Sequence, residues 1–160
     1  MIILWLLLAS LFISFGLIVV VGAPWVPSKK GDLELLFNSL KLRRRAKFID
    51  LGCGDGRVLV AAARQGYNAY GYELNPLLAL IAKLRLRKYP QARVKLGNYW
   101  QADIKKADVV FVFSAQPYLH RLQQKCQAEL KPGALAVLYG FSFGGQKIYK
   151  RIGPCNIYKF

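Results

Sequence analysis

Apolar residues fill almost every position from 2 to 21, and the first charged residue of the chain is Lys29. At about 1.5 Å per helical residue, such a stretch matches the roughly 30 Å hydrocarbon layer of a bilayer. It has no polar face to present to water, and too little chain follows to bury it on all sides. The pattern predicts one N-terminal transmembrane helix over 1–23. No basic residue precedes the apolar run, and Pro24 directly follows Val21-Gly22-Ala23, so a retained anchor fits better than a cleaved leader.

Beyond a short link, Pro24-Trp25-Val26-Pro27-Ser28, the period changes. Leu33, Leu36, Phe37 and Leu40 fall on one face of a helix expected over 32–42, which the basic run Arg43-Arg44-Arg45 ends. From residue 46 short apolar runs alternate with helical patterns. Strands are expected at 46–51, 69–74, 93–97, 107–113 and 134–139, with a hairpin over 146–160 turning at Gly153-Pro154. Helices are expected at 57–65, from Asn75-Pro76 to about 89 with Leu77, Leu80, Ile81 and Leu84 inward, and at 117–130 with Leu119, Leu122 and Cys126 inward. Strand-helix alternation predicts an α/β fold, a doubly wound and mostly parallel sheet closed by an antiparallel C-terminal hairpin. Three regions result: the anchor at 1–23, a linker with an amphipathic helix at 24–45, and a globular domain at 46–160.

Charge places this body. The chain has 24 Lys and Arg against 8 Asp and Glu, a formal +16, all of it beyond residue 28. Lys29, Lys30 and the run from Lys41 to Lys47 follow the apolar segment, so the positive-inside rule puts the domain in the cytoplasm or an equivalent compartment such as the matrix. An anionic lipid surface, attracting each nearby Lys or Arg by about 1 kcal/mol, accounts for the charge without a nucleic-acid partner. Cys53, Cys126 and Cys155 show no CxxC spacing and have only His120 for company, which supports neither a metal site nor a disulfide framework.

The chemistry concentrates in Phe48-Ile49-Asp50-Leu51-Gly52-Cys53-Gly54-Asp55-Gly56-Arg57, an apolar strand running through a glycine turn into a helix. Gly52, Gly54 and Gly56 strip one side of the turn of Cβ atoms, so backbone N–H groups can approach a ligand closely. Their GxGxG spacing differs from the GxGxxG of dinucleotide sites. Seventeen residues after Gly56 a second strand reaches Glu73, placed to accept hydrogen bonds from ribose hydroxyls. Asp55 reads as a cap for the next helix, Asp103 as a loop carboxylate, and His120 as a helix-surface residue rather than a general base.

Asp50, the glycine turn, Glu73, the Lys131-Pro132-Gly133 turn before the fifth strand and the terminal hairpin together resemble the class I S-adenosylmethionine-dependent methyltransferases, whose fold is Rossmann-like. The resemblance implies S-adenosylmethionine as cofactor and no metal. It implies cofactor contacts at Asp50, Gly52, Cys53, Gly54, Gly56 and Glu73, with Asn98 and Tyr99 at the adenine. Ser114-Ala115-Gln116-Pro117-Tyr118 partly resembles the Asn/Asp-Pro-Pro-Tyr segment of amino-group methyltransferases. By that resemblance Ser114 faces the cofactor and Gln116, Pro117 and Tyr118 line the acceptor.

More narrowly, the single hydrophobic segment, the Pro24-Trp25-Val26-Pro27-Ser28 link, Gly71-Tyr72-Glu73-Leu74-Asn75-Pro76 and Tyr99-Trp100 are similar to the membrane-anchored lysine methyltransferases acting on the ATP synthase c-ring protein and the adenine nucleotide translocase. Trp25 for tyrosine, Asn98 for an acid, and Ser114-Ala115-Gln116 depart from that pattern. A membrane-protein lysine is the implied acceptor. A lipid-soluble small molecule, an RNA, or a non-catalytic membrane-tethered scaffold remain the alternatives.

Overall fold

The computed structural model describes Trp5 and residues 27–113 and 116–160. Its centre is a seven-stranded sheet in the order β3-β2-β1-β4-β5-β7-β6. The strands are β1 (Lys47–Leu51), β2 (Asn68–Glu73), β3 (Ala92–Leu96), β4 (Val109–Val112), β5 (Leu135–Tyr139), β6 (Lys150–Ile152) and β7 (Cys155–Lys159). β1 to β5 pair in parallel, whereas β7 runs antiparallel to both β5 and β6. The expected mostly parallel sheet with an antiparallel terminal hairpin is therefore present.

Among residues 27–113 and 116–160 four α-helices accompany it: α1 (Lys30–Ser39), α2 (Arg57–Arg64), α3 (Pro76–Leu86) and α4 (Leu119–Glu129). The period of two along each strand sorts side chains between two cores. Phe48 of β1 joins Leu33, Leu36 and Phe37 of α1, Val58 and Leu59 of α2, and Phe111 on one face. Ile49 and Leu51 join Val110, Val112, Leu138 and the Leu119, Leu122 and Cys126 stripe of α4 on the other. All three cysteines are buried free thiols. Burial pushes Cys126 and Cys155 up to about 12.

α1 begins and ends earlier than its sequence pattern suggests. Leu40 leaves helical geometry at φ −90°, ψ 83°, so the helix stops before the basic run, although Leu40 is itself buried. α3 departs more substantially. Leu78, Ala79, Ala82 and Leu86 face the core, while Leu77, Leu80, Ile81 and Leu84 are 41, 52, 36 and 59% exposed, reversing the inward face expected of them. The cause is close packing: a Cβ on Gly56 would lie 2.9 Å from the Cβ of Ala82, so nothing larger than alanine fits beneath this helix.

Among the described residues no helix is long and apolar enough to cross a membrane. The transmembrane helix expected over 1–23 lies, apart from Trp5, outside them.

Candidate active site

The strand order reverses between β1 and β4, which opens a crevice at the C-terminal ends of the parallel strands. The glycine turn lies at its edge. Gly52 N and Cys53 N both donate to Tyr72 O at 2.9 Å, tying the turn to the end of β2, and Gly56 N donates to Cys53 O at 2.9 Å. Gly52, Gly54 and Gly56 take φ values of 88°, 53° and 78°, a region that L side chains rarely adopt. A Cβ at Gly52 would meet no atom within 4 Å, so this side of the turn faces open space. At Gly56 the glycine requirement comes from α3 instead.

Cys53 turns inward. A Cβ on Gly71 would come within 2.5 Å of Cys53 Sγ and of Leu59 Cδ1, so the thiol occupies space that only glycine leaves free. Burial, then Asp50 and Glu73, raise its pKa well above the ordinary thiol value. The residue offers a ligand no thiolate, and the N–H groups of Gly52, Cys53, Gly54 and Gly56, expected from the sequence to face a ligand, are instead spent on Tyr72 O, Glu73 Oε2 and Cys53 O.

Two carboxylates end the first two strands. Glu73 is buried, accepting from Gly54 N through Oε2 and from Asn75 N through Oε1, each at 2.8 Å. Asn75 caps α3, as expected, accepting from Leu77 N at 2.9 Å and Leu78 N at 3.3 Å. Asp50 is 2% exposed, and its Oδ2 has no hydrogen-bond partner among the described residues. Desolvation first, then the charges of Glu73 and Asp55, raise its pKa well above the carboxylate range.

Asp55 belongs to the scaffold. Its Oδ1 accepts from Arg57 N at 3.3 Å, and its Oδ2 pairs with Arg57 Nη2 at 2.8 Å and Arg85 Nη1 at 2.6 Å. Burial works to raise its pKa, but the bonds from Arg57 and Arg85 outweigh that and hold it below the usual value.

Across the crevice stands an aromatic group. Tyr99 and Trp100 open a 3₁₀ turn after β3, with ring centroids 4.8 Å apart. Trp100 lies 6.3 Å from Tyr118 and carries the Arg121 guanidinium 4.3 Å above its ring. Tyr72 of β2 packs against the same core, and its pKa is raised by burial and then by Asp103. Asn98 spends its side-chain oxygen on Trp100 N at 3.0 Å, starting the turn rather than reaching outward.

The structure thus brings Asp50, Gly52, Cys53, Gly54, Gly56 and Glu73 into one cradle, and sets Tyr99 and Tyr118 on turns joined through Trp100. Gln116 and Pro117 are exposed on the 3₁₀ turn before α4, whereas Ser114 lies outside the described residues. His120 is exposed on α4, and Asp103 accepts from its own loop at Lys105 N, 3.0 Å away. Sequence reasoning quoted Gly71 only as part of the Gly71-to-Pro76 segment without its packing role, and passed over the Arg85 arm to Asp55 and the Trp100–Arg121 stack. Only the tyrosine-tryptophan pair carried a local signal for any of them.

The family model for the ANTKMT methyltransferase domain matches residues 50–150. Over 123 residues the chain is 31% identical to the Mus musculus lysine N-methyltransferase named for the C subunit of ATP synthase, covering 75% of this chain and 49% of that protein. It is 37% identical over 118 residues to the adenine nucleotide translocase lysine N-methyltransferase of Mus musculus, covering 71% of this chain and 51% of the relative. The chain therefore spans about half the length of these curated relatives. Among solved structures, an RNA methyltransferase from Salinibacter ruber bound to S-adenosyl-L-homocysteine superposes with a TM-score of 0.76 at 23% identity, over 84% of this chain and 92% of the other. That likeness bears on the fold, which agrees with the strand order and the glycine cradle, and the family match runs through both. The chain belongs to the ANTKMT methyltransferase domain family, within the class I S-adenosylmethionine-dependent methyltransferases.

Proposed function

We propose that the protein is a membrane-anchored methyltransferase that uses S-adenosylmethionine to methylate a lysine of a membrane protein. The observation that carries the reading is the pairing of two unlike carboxylates beside an open glycine turn. Glu73 is held rigid by Gly54 N and Asn75 N, while Asp50 keeps a buried Oδ2 without a partner among the described residues. An orphaned buried carboxylate costs stability unless a ligand satisfies it. A cofactor with ribose hydroxyls and a charged amino group suits both acids.

When bound, that cofactor supplies a sulfonium methyl already activated for transfer. The chain has to hold and align. Glu73 retains lone pairs for the ribose hydroxyls, Asp50 lies beneath the methionine end, and the Gly52, Cys53, Gly54 and Gly56 backbone permits close approach. Tyr99 and the turn started by Asn98 flank the adenine. Gln116, Pro117 and Tyr118 line the acceptor side, where an aromatic wall excludes water.

A lysine must lose a proton before it attacks. With a reference pKa of about 10.4, deprotonation at pH 7 costs roughly 4–5 kcal/mol. A cationic body and burial of the acceptor near the membrane interface both lower that pKa, so the reaction does not depend on a dedicated base. The relatives named for lysine methylation support this acceptor. The uncharged residues before Lys29 support the anchor, with the domain on the cytoplasmic or matrix side and its surplus positive charge toward anionic lipid.

Membranes lacking the enzyme, supplied with the full chain and methyl-labelled S-adenosylmethionine, provide the test. Label is expected in protein, with mass spectrometry placing it on lysine. Label in the lipid extract or in RNA would overturn the lysine reading. Glu73→Gln is expected to weaken cofactor binding about 10- to 100-fold, the loss of charge-assisted bonds to ribose. An unchanged binding constant in a folded variant would remove Glu73 from the cofactor site.

A further inference from the structure

We infer that the outward face of α3 is a lipid-docking surface that lays the cofactor end of the domain on an anionic bilayer. The inference rests on the membrane-anchored reading above and adds a second attachment to it.

α3 is apolar on two opposite sides. Its buried side consists of Leu78, Ala79, Ala82 and Leu86. Its outer side presents Leu77, Leu80, Ile81 and Leu84, spaced i, i+3, i+4 and i+7, which places them in one stripe. Isolated exposed leucines need no explanation, but four in register on one helix make a patch of the kind that marks an interaction surface.

The charge around the stripe selects the occupant. Lys83 and Arg85 flank it on the helix, while Arg87 and Lys88 follow at its C-terminal end. From Leu74 to Ala102 the sequence has no Asp or Glu. A leucine face rimmed by Lys83, Arg87 and Lys88, with Arg85 tied back to Asp55, is the pattern of a helix lying in the interface of an anionic membrane. A second copy of the chain would bring the same positive rim against itself, which opposes self-pairing.

Position agrees with charge. Ser28, where the link from the apolar segment enters the fold, accepts through its carbonyl from Arg57 Nη1 at 3.3 Å. Arg57 pairs with Asp55, and Asp55 pairs with Arg85 of α3 at 2.6 Å. The chain entry, the cofactor turn and α3 are thus joined by three consecutive contacts. The five-residue link from Pro24 to Ser28 reaches at most roughly 17 Å when fully extended, about the length of α3 itself. An anchor on so short a link holds α3 within reach of the headgroups.

The test uses the full chain in vesicles of phosphatidylcholine and phosphatidylglycerol. An environment-sensitive fluorophore is attached at Leu84→Cys, or at Gln127→Cys on the exposed side of α4 as control; the native thiols are buried. At position 84 the emission is expected to shift to the blue and to be quenched several-fold more strongly than at 127 by lipid carrying a nitroxide high on its acyl chain. Equal access of aqueous iodide to both positions would overturn the inference. So would energy transfer between labelled copies without lipid quenching, which would assign the face to a second copy. Leu80→Glu combined with Leu84→Glu is expected to lower transfer to a membrane-embedded lysine about tenfold and leave S-adenosylmethionine affinity unchanged. If the unsubstituted chain floats with vesicles and transfers methyl while position 84 stays wet, the docking face alone fails. If it neither floats nor transfers, the proposed function fails.

Discussion

Asp50, Asp55 and Glu73 stand around one glycine turn, yet each meets different surroundings. Asp55 is paired by Arg57 and Arg85, Glu73 is held by two backbone N–H groups, and Asp50 is buried with an oxygen that nothing described satisfies. The consequences for stability run in opposite directions. Asp55, with its pKa lowered, contributes stability that is present above the unfolded carboxyl value of about 3.9 and is lost as pH falls through the folded value. Asp50, with its pKa raised, favours the folded state only while protonated, and that contribution is lost as pH climbs from about 3.9 through the folded value. Asp50→Asn removes the charge with little change of shape. The cofactor-free variant is expected to be more stable than its parent at neutral pH by about 1 kcal/mol, a rise of roughly 2–4 °C in melting temperature. The two melting curves should converge in acid, where the parent's carboxyl is protonated. Cofactor affinity should fall in the same variant. Melting below the parent at pH 7 would show that Asp50 is not a destabilised group held for a ligand.

α3 shows how an element can be recognised while its orientation is misread. Its boundaries follow from Asn75-Pro76 at one end and the turn before β3 at the other, and both signals are local. The leucine spacing was equally clear, but it belongs to the exposed side. The inner side is set by a contact between Ala82 and Gly56, distant in sequence, where the helix rests on the glycine turn. Ala82→Leu is therefore expected to destabilise the protein by about 1–3 kcal/mol through overpacking. Leu80→Ala, measured in detergent, should change stability by no more than about 0.5 kcal/mol. Chemical denaturation of the two variants separates them, and equal losses would restore Leu80 to the core. The sheet was legible for the converse reason: β1, β4 and β5 carry compact apolar runs bounded by turn residues, and the parallel order follows from the helices between the strands. The cradle was legible because Asp50, the three glycines and Glu73 flank one strand-turn-helix unit. The Trp100–Tyr118 and Trp100–Arg121 contacts were not, since they join the turn after β3 to the turn before α4 and to α4 itself, and leave no spacing to read.

For the molecule as a whole, the decisive connection is between the segment that leads into α1 and the sheet. α1 buries Leu33, Leu36 and Phe37 in the core shared with α2 and the sheet, so it is part of the body rather than a tether. Its first turn is fixed by polar contacts as well. The Tyr139 hydroxyl at the end of β5 donates to Asp32 Oδ2 and accepts from Lys29 N at 3.3 Å, while Arg57 holds the Ser28 carbonyl. These bonds hold Ser28, Lys29 and Asp32 against the end of β5 and the start of α2, and under the membrane-anchored reading proposed above they would also fix how the crevice meets a bilayer. Tyr139→Phe deletes the hydroxyl and keeps the ring, whose centroid lies 4.8 Å from that of Phe113. Losing these bonds costs about 1 kcal/mol locally. Hydrogen exchange at Leu33 N, which bonds Lys29 O at 3.2 Å, should accelerate roughly fivefold, while amides of β1 and β4 remain as protected as before. If the polar clamp orients the domain, methyl transfer to a membrane-embedded lysine falls in this variant and transfer to a soluble lysine peptide does not. Unchanged exchange at Leu33 would mean that the apolar face of α1 fixes the exit by itself, and a parallel loss on both acceptors would move Tyr139 from orientation to the crevice.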